Sequence, residues 1–308
     1  MLLAFHSDSH AVDLDPKHRF PMDKYALTRQ QLHADATLQG KIDFREAPLA
    51  SSEELAYAHE PAYVRRFMEG ALDAKEMRSI GFPWSMGLVA RARGSAGGTL
   101  AATRAVLEWQ LPLACNIAGG THHAFPDRGE GFCVFNDIAV AAGAAMREYG
   151  LQRVLVIDCD VHQGNGTAAI CAGDERVTTF DMHGDKNYPW KTRMQNTYDI
   201  ALPDATSDAE YLSLLGDWLP RLIERHEPEL VFYQAGVDAL KEDSFGRLAM
   251  TREGLQTRNQ LVFSKCLQEG VPLVIVMGGG YSRPVEATVN AHADVYRQAA
   301  LMMCSSSA

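Results

Sequence analysis

The stretch "RVLVIDCDVHQGNG", Arg153 to Gly166, decides how the rest of the chain is read. Four branched apolar residues, Val154 to Ile157, run directly into Asp158, Asp160 and His162. Consecutive apolar positions mark a strand covered on both faces, as in a parallel sheet with crossover helices. Two carboxylates and an imidazole at alternate positions are poor companions for such a strand. In extended chain they fall on one face, so they can converge on one point or form two linked pairs.

Further β-like runs lie at 2–5, 112–118, 176–182, 229–236 and 271–280. Between them, apolar residues at three- and four-residue spacing predict helices near 22–34, 52–69, 84–109, 136–149, 208–226, 251–269 and 284–302. This alternation predicts an α/β fold. No internal repeat and no long Pro/Gly/Ser linker divides the chain, so residues 1–308 are expected to form a single domain. The regions 118–135 and 183–207 carry neither period, and loops of that length are more often functional than idle. The closing "SSSA" is the only low-complexity piece, expected to fray.

Hydrophobic residues make up 46% of the chain, enough for a sizeable core. A formal charge of −10 argues against direct nucleic-acid binding. Six cysteines without a Cys-x-x-Cys pair are expected to be free thiols. The apolar start "LLAF" is too short for a signal peptide and no stretch approaches a membrane span, so a cytoplasmic protein without membrane partners is expected.

Ligands of parallel sheets bind beyond the carboxyl ends of the strands. Those ends supply "GGTHHAF", "DCDVHQGNG", "VDAL" and "GGGYS", and with them His122, His123, Asp158, Asp160, His162, Asp238 and Tyr281. A carboxylate, the imidazole of His162 and Asp238 suit a catalytic zinc, which keeps one position open for water. The bland alternative is that Asp158 and Asp160 cap a helix starting near Asn165. Adjacent His122 and His123, held by a loop with glycines, offer a proton shuttle. In "GGGY" the glycines let backbone approach the site, while the Tyr281 hydroxyl donates to a developing oxyanion. Phe132 and Tyr188, on the two aperiodic loops, are candidates for the walls of a narrow tunnel taking a lysine-like methylene chain.

Taken together, "GGTHHA" (119–124), "GFCVFND" (131–137), "IDCDVHQGNGT" (157–167), "QAGVDAL" (234–240) and "GGGYS" (278–282) resemble the histone deacetylase superfamily. That resemblance implies an arginase/deacetylase-like, three-layer α/β/α sandwich around a largely parallel, about eight-stranded sheet. It implies Asp160, His162 and Asp238 as ligands of one catalytic Zn²⁺, with Fe²⁺ conceivable in vivo. It further implies that His122 pairs with Asp158, that His123 shuttles protons, and that Tyr281 polarises the acyl carbonyl. Gly131 and Phe132 match the family's tunnel. A structural K⁺ is implied near Asp158, Asp160, His162, Asp181 and Met182, with Asp181 standing where Ser is commoner. Gln163 and Asn165 replace the His and Asp of many members. With "HRFPMDKY" (18–25) and the loop 183–196, "HQGNG" looks closest to class IV and its bacterial relatives. Neutral Asn165 would raise the pKa of His123 less than Asp would.

The expected function is therefore zinc-dependent hydrolysis of an acylated lysine-like amine. An acetylpolyamine or another small amide is the alternative substrate. A binuclear ureohydrolase would need another carboxylate near Asp238, yet position 236 is Gly and positions 239–241 are Ala, Leu and Lys. A silent binding module would predict a broken constellation, and every member is present.

Overall fold

The apolar run Val154–Ile157 and the Asp158 that follows it form one strand, Val154–Asp158, all five residues of it buried. The computed structural model describes residues 1–10, 12–15 and 17–305, so the end of the "SSSA" tail lies outside the described residues. In chain order the strands are β1 (Leu2–His6), β2 (Ile42–Glu46), β3 (Leu113–Asn116), β4 (Val154–Asp158), β5 (Val177–Gly184), β6 (Tyr198–Leu202), β7 (Leu230–Gln234) and β8 (Leu273–Val276). They form one eight-stranded sheet in the order β2-β1-β3-β8-β7-β4-β5-β6. Every neighbouring pair is parallel.

The helices are α1 (Lys24–Ala34), α2 (Ser52–Leu55), α3 (Pro61–Met68), α4 (Ala74–Ile80), α5 (Met86–Glu108), α6 (Asp137–Glu148), α7 (Asn165–Cys171), α8 (Asp208–His226), α9 (Arg252–Gln268) and α10 (Glu286–Ser305). Helices α5, α6 and α7 pack side by side, and α1, α10, α9 and α8 form a second layer. Covered on both faces, β3, β4, β7 and β8 are buried along their whole length, as their unbroken apolar runs demand. Local chemistry closes the helix ends: Asn136 accepts from the Ala139 amide to cap α6, and Ser85 accepts from Leu88 to cap α5.

The sheet exceeds the strand runs seen in the sequence by two, β2 and β6, and these are its two edges. "IDFRE" and "YDIAL" are only partly buried, so neither had to be an apolar run. The expected helix over 52–69 is two helices, α2 and α3, broken just before Pro61, which fits the first turn of the second. Helices α4 and α7, of seven residues each, are too short to leave a clear period.

Four central neighbours, β3, β8, β7 and β4, end at one level: Asn116 pairs with Val276, Val276 with Gln234, and Gln234 with Asp158. The four motif loops thus leave the sheet side by side. Arg258 of α9 is fully buried and ties two of them, donating to the carbonyls of Cys159 at 3.0 Å and Gly236 at 2.8 Å.

Candidate active site

At these strand ends the backbones touch. A Cβ on Gly120 would lie 2.5 Å from the Gly278 backbone, so the "GGTHH" and "GGGY" loops approach only as glycines. Asp137, at the start of α6, holds the first loop from below by accepting from the amides of Gly120 (3.1 Å) and Thr121 (2.8 Å). Two histidines are thereby presented on an irregular but anchored turn.

Asp160, His162 and Asp238 converge, with one ligand atom from each within 4.8 Å of the others. His162 Nδ1 lies 3.0 Å from Asp160 Oδ1 and 3.0 Å from Asp238 Oδ2. The other carboxylate oxygens are held by backbone amides, Asp160 Oδ2 by Gly279 (2.7 Å) and Asp238 Oδ1 by Val161 (2.8 Å). Each carboxylate therefore turns one oxygen to the centre and anchors the other. Two buried carboxylates and an imidazole form a donor set that fits a divalent cation such as zinc. A Cβ at Gly279 would fall 1.9 Å from Asp238 Oδ2 and one at Gly236 2.4 Å from Asp160 Oδ2, so neither position has room for a further ligand.

The histidine pair is split electrostatically. His122 Nδ1 lies 2.7 Å from Asp158 Oδ2, and the Gln234 amide lies 2.9 Å from the same nitrogen. Burial pulls the His122 pKa down, but the charges of Asp158 and Asp160 outweigh it and raise it to about 9. His123, whose ring centre is only 4.1 Å away, bonds through Nδ1 to neutral Asn165 at 2.8 Å. Burial, then the charges of His122 and His162, push its pKa well below the usual histidine value. The two neighbouring imidazoles are thus pushed in opposite directions, His122 toward the protonated form and His123 toward the neutral one. Asp158 and Asp160 do not cap α7, whose first position follows Gly164 and has no side-chain cap.

Tyr281 is half-buried, its ring 6.1 Å from His162, 6.1 Å from Phe20 and 4.9 Å from Phe245. Its amide donates to Asp243 Oδ2 at 2.6 Å. Lys24, buried at the start of α1, donates to the carbonyls of Gly278 (3.1 Å) and Gly280 (3.3 Å) and sits 5.0 Å over the Tyr281 ring. A cavity of about 590 Å³ leads to this group, lined by Gly131, Phe132, Tyr188 and Tyr281, with His123 and His162 at its inner end. Phe132 adopts φ +66°, a strained conformation of the kind that clusters at ligand sites. Its ring packs on His18, Phe20 and Phe82, so "HRFPMDKY" forms the back of the tunnel wall. The Tyr188 ring stands edge-on to His123, centroids 4.9 Å apart, and its hydroxyl donates to Glu130.

The potassium candidates are not all alike. Both oxygens of Asp181 are engaged by protein donors, Oδ1 by His183 (2.8 Å) and Oδ2 by the Gly164 amide (2.7 Å) and Asn196 (3.3 Å). Its carboxylate pins the loop 162–166 and groups with His183 and Asp199, one ligand atom from each within 4.8 Å of the others; Met182 is buried beside it in β5.

Sequence reasoning missed Lys24, Glu130, Asp137, Gln234, Asp243 and Arg258. Lys24, Asp137 and Gln234 lay inside quoted motifs but carry no chemistry by type alone, since their task is to hold backbone or another side chain. Glu130 lay in the aperiodic loop 118–135, the one signal that could have pointed to it.

All six cysteines are free thiols, and among the described residues no helix is long and apolar enough to cross a membrane. A family model for the histone deacetylase domain matches residues 18–296. The chain is 41% identical over 297 residues to an uncharacterized protein of Picosynechococcus, covering 96% of this chain and 97% of that one. It is 31% identical over 284 residues to histone deacetylase 2 of Arabidopsis thaliana, covering 90% and 73%. To the histone deacetylase-like amidohydrolase of Pseudomonas aeruginosa it is 34% identical over 260 residues, covering 80% and 68%. A parallel α/β sheet with the superfamily's motifs gathered at four adjacent strand ends, matched over most of its length by that family's model, makes this chain a member of the histone deacetylase family of deacetylases and amidohydrolases.

Proposed function

We propose that the chain is a zinc-dependent hydrolase of an acylated lysine-like amine. The observation that carries this reading is that His123, its Nδ1 tied to Asn165, lines the same cavity as Tyr281 and as His162 of the buried Asp160–His162–Asp238 trio. A zinc ion held by that trio would polarise the acyl oxygen and acidify the attacking water.

The chain's own groups supply the rest. With Nδ1 donating to Asn165, His123 keeps the Nε2 lone pair for the water proton. As the water oxygen bonds to the acyl carbon, the Tyr281 hydroxyl donates to the acyl oxygen, where negative charge gathers. When the carbon–nitrogen bond breaks, His123 returns the proton to the leaving amine, giving a carboxylate and a free amine. His122, kept protonated by Asp158, supplies positive charge beside His123 and disfavours a premature second proton there. Gly131, Phe132 and Tyr188 enclose the methylene chain of the substrate. A potassium ion, implied by the family, would be held near the backbone of Asp158, Asp160 and His162, with Asp181 and Met182 at the further positions, and would stiffen the β4 and β5 ends.

Asp238→Asn tests the reading. It keeps the shape of the side chain and removes its charge; metal content and acylate release from an acetyl-lysine peptide should both collapse. A variant that retains full metal and full turnover would sink the assignment.

A further inference from the structure

The tunnel mouth is charged differently from the molecule around it. The described residues lining the cavity include four cations, Arg19, Arg78, Lys186 and Arg247, and no Asp or Glu. The chain as a whole has 39 acidic against 29 basic side chains, so this ring does not follow from composition. All four cations are exposed, and they come from four separate segments. Arg19 belongs to "HRFPMDKY", Arg78 to the last turn of α4, Lys186 to the loop after β5, and Arg247 to the loop after β7.

Their counter-charges are few. Arg247 and Lys186 share one carboxylate, Asp204, at 2.6 and 3.9 Å. Neither Arg19 nor Arg78 has an ion-pair partner among the described residues. Arg19 also borders a second hollow lined by Asp13, Asp15 and Asp23, which leaves Arg78 the least compensated of the four. Below the rim the walls, Gly131, Phe132, Tyr188 and Tyr281, are uncharged.

We propose that this cationic rim selects an anionic carrier, an acyl-lysine flanked by Asp or Glu in a peptide chain. The proposal rests on the amide-hydrolase reading above. The acyl amide must reach His123 and Tyr281 at the inner end, so the methylenes occupy the uncharged walls and the carrier stays at the rim. There, flanking carboxylates on either side of the lysine meet cations that four separate segments supply. Trp190, 73% exposed at the same mouth, offers a flat apolar face to a peptide backbone. An acylated polyamine keeps at least one ammonium group along its chain, and a basic tail brings several; both are repelled by the same ring. Exposed charges of this kind act on encounter and are screened by salt, so the preference belongs in kcat/KM and fades at high ionic strength.

The test compares acylate release by the zinc-loaded full chain from three acetyl-lysine peptides that differ only in acidic, neutral or basic flanks. N-acetylputrescine is a fourth substrate. The acidic peptide should exceed the basic one by about tenfold or more in kcat/KM at low salt, with N-acetylputrescine below the neutral peptide. The acidic-to-basic ratio should shrink in high salt and fall again in an Arg19→Glu/Arg78→Glu variant. Equal rates, or a preference for the basic peptide, would overturn the proposal. Binding of the same peptides, labelled and followed by fluorescence anisotropy, reads the rim independently of turnover. Acylate release from none of the substrates would count against the hydrolase reading, whereas equal affinities would count against the rim.

Discussion

The imidazole of His123 and the side-chain amide of Asn165 are tied by a 2.8 Å hydrogen bond, Nδ1 to Oδ1. Because that oxygen accepts, the amide nitrogen points the other way. It donates to Glu130 Oε1 (3.2 Å), to the Thr192 carbonyl (3.0 Å) and to the Thr192 hydroxyl (3.1 Å). A neutral amide can bridge a histidine and a glutamate, whereas an aspartate at 165 would set one carboxylate against another. Glu130, a residue from a different loop, thus disfavours the family's alternative at this position.

Asn165→Asp should therefore destabilise the fold while Glu130 is present. Losing a buried amide–carboxylate bond and facing like charges costs about 1–3 kcal/mol, which for a chain of this length is a Tm lower by roughly 2–5 °C. Adding Glu130→Gln should recover most of that loss. Differential scanning calorimetry of both variants decides it, and an unchanged Tm in Asn165→Asp alone would contradict the bridge.

The depressed pKa of His123 has a pH signature in activity. A base whose pKa lies below the usual value of about 6.5 stays unprotonated to lower pH. The acid limb of kcat/KM should then have its midpoint below about pH 6.5, with activity lost only as pH falls through the lowered value. Introducing Asn165→Asp/Glu130→Gln places a negative charge beside Nδ1 and should move that limb to higher pH. A wild-type midpoint at or above 6.5 would assign proton transfer to another group.

Tyr281→Phe keeps the ring that packs on Phe245 and deletes one donor. By comparison with loss of a single oxyanion donor, kcat should fall about 10²–10³-fold with metal content unchanged. Lys24→Met acts one step back, freeing the Gly278 and Gly280 carbonyls that hold the turn. It should lower both kcat and Tm, whereas Tyr281→Phe should leave Tm close to wild type. Steady-state kinetics beside thermal melts separate the two roles; near-normal kcat in Tyr281→Phe would reduce the tyrosine to packing.

The central strands and the residues at their ends were legible because each has a local signature. Four unbroken apolar runs had to be buried on both faces, and Asp-x-Asp-x-His or His-His stands out at such an end. The edges β2 and β6 were not legible, since a half-exposed strand such as "IDFRE" need not alternate or run apolar. The supporting groups escaped for a different reason. Lys24 meets Gly278 across 254 positions and Arg258 meets Cys159 across 99, so only the assembled sheet brings them together. Asp181 also accepts from the Gly164 amide, a bond between β5 and the loop after β4 that spacing does not encode.

The most direct measurement is made on the unaltered protein. Zinc per chain is determined by elemental analysis, and acetate release from a neutral acetyl-lysine peptide is followed before chelation, after chelation, and after zinc is restored. Buried Asp160, His162 and Asp238 should hold close to one zinc per chain, with release abolished by removal of the metal and recovered on its return. Acetate released at an undiminished rate by metal-free protein, or a zinc-loaded protein that releases none, would contradict the assignment.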